Sequence, residues 1–139
     1  MDFEESFGII PIKSYKNSFQ TFLVQLKSGK HFGFPKGHAN SLELPLDAAI
    51  RELKEETNLN VIKILLEKPL MEEYQIKKNS TFTSKKVYYY IAEVNGKVNI
   101  DKNEILDGFW VDIEKAKDII TYTPSKEIAQ KVIDFLNIK

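Results

Sequence analysis

The sequence predicts an α/β fold in which a mixed β-sheet lies between layers of helices, an α/β/α sandwich. Three features indicate it: strand-length runs of β-branched and aromatic residues on both sides of one amphipathic helix, a later run that is apolar on both faces, and a second helical pattern near the C-terminus. At 139 residues without cysteine, the chain is expected to form a single domain, residues 1–139, that excludes disulfides and thiol chemistry.

The first strands are predicted over residues 6–12 and 19–26, which are rich in β-branched and aromatic side chains. Ser28 and Gly29 then form a turn signal. The chain is expected to turn back there through residues 31–34.

Two further strands are predicted over residues 61–66 and 70–76, with Pro69 breaking the run between them. Residues 81–94 follow, and they contain V-Y-Y-Y-I-A, which is nearly apolar on both faces. That pattern is typical of a central strand covered by helices on both sides. Residues 95–107 are predicted to be a polar loop.

A short strand over residues 108–111 and two helices are predicted to complete the fold. Asp112 is suited to cap a short helix over residues 113–119. Thr123 is suited to cap the final helix, with Pro124 at its first position. The buried stripe of that helix is predicted to be Ile128, Val132 and Phe135.

The chain is organised around a helix predicted over residues 46–57, with Pro45 in its first turn, where a missing N–H is tolerated. Apolar residues recur on one stripe of this helix at i, i+3, i+4 and i+7, namely Leu46, Ala49, Ile50 and Leu53. Beside the stripe, three carboxylates share the spacing i, i+3 and i+4: Glu52, Glu55 and Glu56. Their repulsion is roughly 0.2–0.5 kcal/mol per pair, so the helix alone leaves open an ordinary solvated face.

The three glutamates also form an oxygen-rich group of the kind that Mg²⁺ or Mn²⁺ prefers. Gly37 lies in a turn where the backbone can approach a ligand closely, and its carbonyl oxygen is a further candidate metal ligand. Arg51 is the only arginine in the chain. Because its guanidinium can bind a carboxylate through two parallel hydrogen bonds, a bidentate pair with Glu43 or Glu55 is predicted.

One fixed spacing connects these residues, with five residues between the glycine and the first glutamate and seven before the arginine. Its positions are Gly37, Glu43, Arg51, Glu52, Leu53, Glu55, Glu56, Asn58 and Leu59. The pattern resembles the Nudix box, G-x5-E-x7-R-E-U-x-E-E-x-G-U, in which U is apolar. Only Asn58 departs, since it replaces the second glycine, and asparagine is the usual second choice for the left-handed conformation that ends a helix.

The resemblance covers essentially the whole chain and implies a Nudix-type α/β/α sandwich that hydrolyses a nucleoside diphosphate linked to another group. Within the family, four segments look like the asymmetrical diadenosine tetraphosphate hydrolases. They are H-F-G-F-P-K-G-H-A at residues 31–39, V-Y-Y-Y-I-A-E-V at 87–94, Asn103-Glu104-Ile105 ahead of Trp110, and Thr121-Tyr122. The resemblance implies metal-dependent attack of water on a terminal phosphate, which gives ATP and AMP.

In such a site, Lys36, Lys85 and His31 are the candidate phosphate contacts. The attacking water needs a proton acceptor, or a further metal carboxylate, on the side of the site away from the box helix. Glu104 is the candidate, because the family often has a glutamate in the loop before this strand.

Preference for a dinucleoside substrate needs a separate purine site, which an aromatic ring stacked on the base provides. Tyr122 is the first candidate, because it lies in a polar context that does not need a tyrosine for the core. Tyr74 is expected to be the opposing ring, with Phe82 as its substitute if the loop at residues 77–83 displaces it.

The charge balance and hydropathy of the sequence limit the classes of partner expected for this protein. Lysine plus arginine balances aspartate plus glutamate at 20 each, so we expect a dinucleoside polyphosphate substrate and no stable nucleic-acid partner. Neither a signal-like apolar core at the N-terminus nor a membrane-length apolar run is present, so a cytoplasmic monomer without a membrane segment is expected.

Two alternatives remain open. In the first, the protein is a Nudix pyrophosphohydrolase with a different substrate, either RNA 5′ ends or nucleoside triphosphates. In the second, it is a non-catalytic nucleotide-binding Nudix module.

Overall fold

The computed structural model describes residues 2–138, which form a mixed seven-stranded sheet with helices packed on both faces. The strands are β1 (Asp2–Tyr15), β2 (Ser18–Leu26), β3 (Phe32–Gly33), β4 (Lys36–Gly37), β5 (Asn60–Lys78), β6 (Thr81–Asn95) and β7 (Ile105–Asp112). The helices are α1 (Pro45–Thr57), α2 (Ala116–Ile119) and α3 (Thr123–Ile138), and a 3₁₀ turn, Ile113–Lys115, precedes α2. The predicted α/β fold with a mixed sheet is confirmed. None of the helices in residues 2–138 is both long enough and apolar enough to cross a bilayer.

The sheet follows the order β3-β2-β1-β6-β5, with β4 paired to β1 and β7 paired to β2. β1 and β6 run parallel, while the other pairs are antiparallel. Because β4 pairs with β1 only at Phe7 and Gly8, the segment that leads into α1 branches out of the sheet there. This branch opens the cleft described below.

Strand β6 is covered on both sides, as its apolar pattern predicts. Val87, Tyr89 and Ile91 face the core beneath α3, whereas Tyr90 and Ala92 face the core beneath α1. The predicted stripe of α3 also lies inward: Ile128 and Val132 are buried and Phe135 is partly buried.

Helix α1 begins at Pro45 and ends at Thr57, within one residue of the predicted bounds. Asn58 ends it with φ 69°, and the Asn58 N–H donates to the Lys54 carbonyl at 2.9 Å. The side-chain amide of Asn58 donates to the Lys97 carbonyl at 2.9 Å. Asparagine therefore adopts the left-handed conformation at this position and also ties the helix end to the next loop.

The predicted break at Pro69 is wrong, because β5 is one continuous strand, Asn60–Lys78. Leu66 pairs with Ile91 and Leu70 with Tyr89, so two extra residues are accommodated on β5 between these pairs. The strand lies at the edge of the sheet, where a residue without an N–H is tolerated.

Other boundaries also differ from prediction. β1 extends beyond residues 6–12 at both ends, because β6 pairs with it from Asp2 onward and β2 pairs with it up to Tyr15. β7 begins at Ile105 rather than at residue 108 and pairs with β2 from there. The predicted cap at Asp112 is wrong, since its side chain makes no capping hydrogen bond and the helix over residues 113–119 is divided into a 3₁₀ turn and α2.

Gly8 is expected to be essential for the junction between β1 and β4. A Cβ at this position would overlap the Pro35 carbonyl oxygen and lie 2.9 Å from Lys36 Cβ. Gly8→Ala should therefore lower the free energy of unfolding by about 1–3 kcal/mol in urea denaturation, because the Pro35 backbone cannot move aside cheaply. Gly33→Ala is the matched control, since an added Cβ there meets no atom of residues 2–138 within 4 Å. Equal stability of the two variants would contradict this account.

Candidate active site

A cleft of about 610 Å³ lies where α1, β4 and the loop before β7 meet. Its described lining combines carboxylates, lysines and small polar groups: Ser6, Leu26, Lys27, Ser28, Lys36, Gly37, His38, Asn40, Glu52, Glu56, Lys85, Asn103 and Glu104. We call it the acidic cleft. The box residues Gly37, Glu52 and Glu56 thus meet Glu104, which is about fifty residues away in sequence.

Arg51 is the centre of a hydrogen-bond network behind the acidic cleft. Its Nε and Nη2 donate to the two carboxylate oxygens of Glu43 at 2.8 and 3.0 Å. Nη1 donates to Glu55 at 3.0 Å and to Glu52 at 3.2 Å, and Nη2 donates to the His38 carbonyl at 2.8 Å. The structure thus has the bidentate pair with Glu43 and the contact with Glu55 that the arginine fork suggested.

This network favours the charged forms of both Arg51 and Glu43. The hydrogen bond from Arg51 holds the pKa of Glu43 below its usual value, with a further contribution from the Asn40 N–H. The hydrogen bond to Glu43 raises the pKa of Arg51 further above its already high value. The charged pair therefore ties the loop after β4 to the first half of α1 at neutral pH.

Gly37 and Glu52 are in direct van der Waals contact across the acidic cleft. A Cβ on Gly37 would overlap the carboxyl group of Glu52, so only glycine lets β4 approach this close to α1. Burial raises the pKa of Glu52, although Arg51 opposes the rise. Because Gly37 has no side chain, its backbone lies beside the partly desolvated carboxylate of Glu52.

Glu56 is the most deeply buried acid in the described lining of the cleft, since it is only 4% exposed. Its Oε1 has no hydrogen-bond partner among the described residues. Burial raises the pKa of Glu56 to about 8, and the nearby carboxylates Glu52 and Glu104 add to the rise, against the opposing effect of Lys36. A buried carboxylate oxygen without a donor is costly, so this atom is suited to a cationic partner.

Glu55 and Glu104 lie differently from the two buried acids. Glu55 is exposed and turns its carboxylate toward Arg51, outside the acidic cleft. Glu104 lines the acidic cleft from the turn before β7, where the Lys27 N–H donates to the Glu104 carbonyl at 2.8 Å. Within residues 2–138, no three acidic or histidine side chains are already close enough together to form a complete metal site.

The residues present nevertheless fit a hard divalent cation. Glu56 offers an unpartnered buried oxygen, Glu52 a partly desolvated carboxylate, and Gly37 a close backbone approach. Mg²⁺ usually keeps several waters and takes only one or two protein carboxylates, so a complete cage is not required. Glu52 and Glu56, with the Gly37 carbonyl, are therefore the donors best suited to hold it.

A second cleft, of about 460 Å³, adjoins the first, and we call it the aromatic cleft. It brings together five of the six residues predicted to bind substrate: His31, Lys36, Tyr74, Lys85 and Tyr122. The sixth, Phe82, is 55% exposed near the β5–β6 turn and belongs to the described lining of neither cleft. Tyr74 therefore lines the same cleft as Tyr122, and their role in binding a base stays a prediction.

His31 and Tyr122 touch, with ring centroids 4.9 Å apart and planes tilted by 46°. Burial lowers the pKa of His31, and the nearby Lys36 and Lys85 lower it further. A neutral histidine against Tyr122 adds to the aromatic wall more than to a phosphate site, which differs from its expected role.

Lys36 and Lys85 are the cations of the aromatic cleft. Burial and Lys85 lower the pKa of Lys36, and Glu72 opposes this more than any other carboxylate. Lys85 has a loose ion pair with Glu4 at 4.0 Å. Lys36 and Lys85 both belong to the described lining of the acidic cleft and of the aromatic cleft.

Sequence reasoning missed Glu72 and Ser125 beneath the aromatic cleft. Both are buried, and the Ser125 hydroxyl donates to the Glu72 carboxylate at 3.0 Å. Glu72 stands beside Glu73 in a strand, and no spacing in the sequence separates the buried glutamate from the exposed one. Only the packing of α3 on β5 identifies it.

The chain matches the NUDIX domain family over residues 4–133. An RNA pyrophosphohydrolase of Helicobacter pylori (strain P12) is 30% identical over 103 residues, which cover 70% of this chain and 66% of that protein. The match therefore spans just under two thirds of the relative's length.

Two solved structures illustrate the likeness in fold. A Caenorhabditis elegans Ap4A hydrolase in a binary complex has a TM-score of 0.77 at 22% identity, covering 98% of this chain and 99% of that one. The NUDIX domain of Shewanella oneidensis NrtR, complexed with ADP ribose, has a TM-score of 0.74 at 13% identity, covering 98% and 90%. At such identities the likeness establishes the fold alone. With the family match spanning nearly all of the described chain and Gly37, Glu52 and Glu56 of the box lining one cleft, this protein belongs to the NUDIX domain family.

Proposed function

We propose that the protein is a divalent-metal-dependent hydrolase that cleaves diadenosine tetraphosphate into ATP and AMP. The observation that carries the proposal is the junction of the two clefts, which share Leu26, Ser28, Lys36 and Lys85 as walls. Carboxylates suited to a metal thus continue into two lysines and then into two tyrosines. This order matches a substrate with a reacting phosphate, a polyphosphate chain and a distant base.

In the proposed site, Glu52, Glu56 and the Gly37 carbonyl hold Mg²⁺ or Mn²⁺. Arg51 turns Glu55 away from the acidic cleft, so Glu55 has a supporting role as it stands. When bound there, the cation neutralises phosphate charge and polarises the phosphoryl group under attack. The chain supports this by keeping Glu52 and Glu56 partly out of water, where electrostatic interactions are stronger.

The remaining steps belong to the chain's own residues. Lys36 and Lys85 bind the polyphosphate and orient the terminal phosphate toward the acidic cleft. The oxygen of a water forms a bond to the terminal phosphorus, and the bond from that phosphorus to the bridging oxygen breaks, so that ATP leaves with the electron pair. From the turn before β7, Glu104 takes the proton of the attacking water. AMP is the second product.

A second candidate function is the removal of pyrophosphate from RNA 5′ ends, which the relative in Helicobacter pylori favours. Both reactions use the same acidic cleft. They differ in what occupies the aromatic cleft, which is a second adenine in one case and RNA nucleotides in the other. The zero formal net charge of the chain favours the small substrate.

One experiment separates these functions and the non-catalytic alternative. The protein is incubated with Mg²⁺ and either diadenosine tetraphosphate or a short 5′-triphosphate RNA, and the products are chromatographed. ATP plus AMP supports the proposal, whereas two ADP contradicts it. Release of pyrophosphate from RNA alone favours the second function, and binding of nucleotide without any product favours a binding module.

Removal of the charge on the proposed metal carboxylates should abolish turnover without unfolding the protein. Glu56→Gln and Glu52→Gln should each lower kcat by orders of magnitude, because an amide keeps the shape but loses the charge that holds the cation. Glu55→Gln is the matched control on the same helix and should affect kcat less. In metal-free buffer, Glu56→Gln should unfold at or above the wild-type temperature, since it removes a buried carboxyl group that is costly to ionise. Near-normal rates for both variants at saturating metal would refute the metal assignment.

Substitution of Glu104 should slow the chemical step rather than weaken substrate binding. Glu104→Gln is expected to lower kcat with little change in KM and to alter the pH–rate profile, because an amide cannot accept the proton of water. Glu114→Gln, an exposed carboxylate on the 3₁₀ turn away from both clefts, serves as the control and should behave as wild type. A Glu104→Gln profile that overlays the wild-type profile would exclude the role of proton acceptor.

Tyr122 should affect substrate affinity. It is half exposed in the aromatic cleft, so Tyr122→Ala should change stability little. Loss of a base–aromatic stack worth roughly 1–3 kcal/mol should raise KM by about five- to 150-fold. Tyr15→Ala, an equally exposed tyrosine at the end of β1, is the control. Strong destabilisation with normal nucleotide binding would show instead that Tyr122 belongs to the core.

A further inference from the structure

Glu72 and Ser125 form a buried polar pair that the proposed reaction does not use. Glu72 on β5 is 5% exposed, and Ser125 in the first turn of α3 is 7% exposed. The Ser125 hydroxyl lies 3.0 and 3.2 Å from the two carboxylate oxygens of Glu72, so it can donate to either one. Buried carboxylates are retained where they are hydrogen-bonded, and breaking such a pair leaves an unsatisfied charge. The pair therefore fixes the first turn of α3 firmly to β5.

Each member of the pair lies next to one tyrosine of the aromatic cleft. Glu72 and Tyr74 are two residues apart on one strand, so their side chains leave the same face of the sheet. Tyr122 immediately precedes α3, and its carbonyl accepts a hydrogen bond from the Lys126 N–H at 3.1 Å, which attaches it to the same turn as Ser125. The hydrogen bonding between Ser125 and Glu72 thus connects the strand that carries Tyr74 to the turn that follows Tyr122.

The other side of Tyr122 is attached to β3. The Phe32 N–H donates to the Thr121 hydroxyl at 2.8 Å, and the Thr121 N–H donates to the Phe32 carbonyl at 3.2 Å. Tyr122 is therefore held between an attachment to β3 and an attachment to β5. Beneath it, a space of about 20 Å³ is bounded by Glu72, Tyr74, Tyr122 and Ser125 among others, which is room for about one water. The two rings have little freedom to move toward each other while the pair is intact.

We propose that Glu72 and Ser125 are positioning residues that set the spacing between Tyr74 and Tyr122, and with it the affinity of the aromatic cleft for a nucleobase. Neither residue belongs to the described lining of the aromatic cleft, so both act through the tyrosines. The choice of substrate for the kinetic test rests on the proposed function. The inference that Glu72 and Ser125 set the spacing of the two rings is independent of it.

The kinetic test compares three variants with diadenosine tetraphosphate and Mg²⁺. Ser125→Ala should raise KM about fivefold with kcat unchanged, because the loss of roughly 1 kcal/mol of positioning corresponds to that factor. Glu72→Gln should stay close to wild type, since the amide oxygen still accepts the Ser125 hydrogen bond. Val132→Ala, a buried position farther along α3, should lower the unfolding temperature without changing KM.

A spectroscopic test reads the position of Tyr122 without any substrate. The six tyrosines are replaced biosynthetically by 3-fluorotyrosine, and the resonance of Tyr122 is assigned with a Tyr122→Phe variant. Ser125→Ala should shift or broaden the ¹⁹F signal of Tyr122, whereas Val132→Ala and Glu72→Gln should leave it at the wild-type position.

The two tests fail in distinguishable ways. If wild-type protein does not cleave diadenosine tetraphosphate, the proposed function fails while the ¹⁹F comparison still decides the positioning role. If Ser125→Ala leaves both KM and the Tyr122 signal unchanged, the positioning role is overturned. An equal rise in KM for Val132→Ala also overturns it, because the effect would then follow from the stability of α3 in general.

Discussion

The bidentate pair between Arg51 and Glu43 is the interaction on which the geometry of the acidic cleft depends. It spans eight residues of sequence and ties the loop after β4 to α1 at a point where Arg51 also binds the His38 carbonyl. Gly37 is thereby held against Glu52, at a separation that no larger residue permits. A lysine has no planar fork and cannot bind both Glu43 oxygens and the carbonyl at once, which explains why the single arginine of the chain lies here.

With the loop after β4 tied to α1, the acidic cleft can keep a buried carboxyl group that is electrostatically unfavourable. Glu56 is buried beside other carboxylates and has one oxygen without a partner, so its ionised form is disfavoured in the metal-free protein. Folded proteins retain such strain where the surrounding structure compensates for it, and it is concentrated at functional sites. Here the compensation comes from a two-sided core, since Leu53 of α1 and the inner residues of β6 are fully buried on either side of the sheet.

The aromatic cleft is built on different principles from the acidic one. The proposed metal donors of the acidic cleft, Gly37, Glu52 and Glu56, come from the stretch between β4 and the end of α1, whereas the aromatic cleft takes its residues from β5, β6, the turn before β3 and the start of α3, among others. Its residues are held by hydrogen bonds between distant segments, such as Phe32 to Thr121 and Ser125 to Glu72.

Short-range patterns in the sequence account for the local parts of this structure. The bounds of α1, the left-handed Asn58, the fork of Arg51 and the two-sided β6 all follow from short-range spacing, because helical and strand periodicities act over a few residues. Tertiary structure decided the rest. Pro69 is accommodated in a continuous strand because β5 is an edge strand. Glu55 faces Arg51 rather than the acidic cleft, His31 lies against Tyr122, and Glu72 rather than Glu73 is buried. Each of these depends on which segment packs opposite, and residues far apart in the chain determine that.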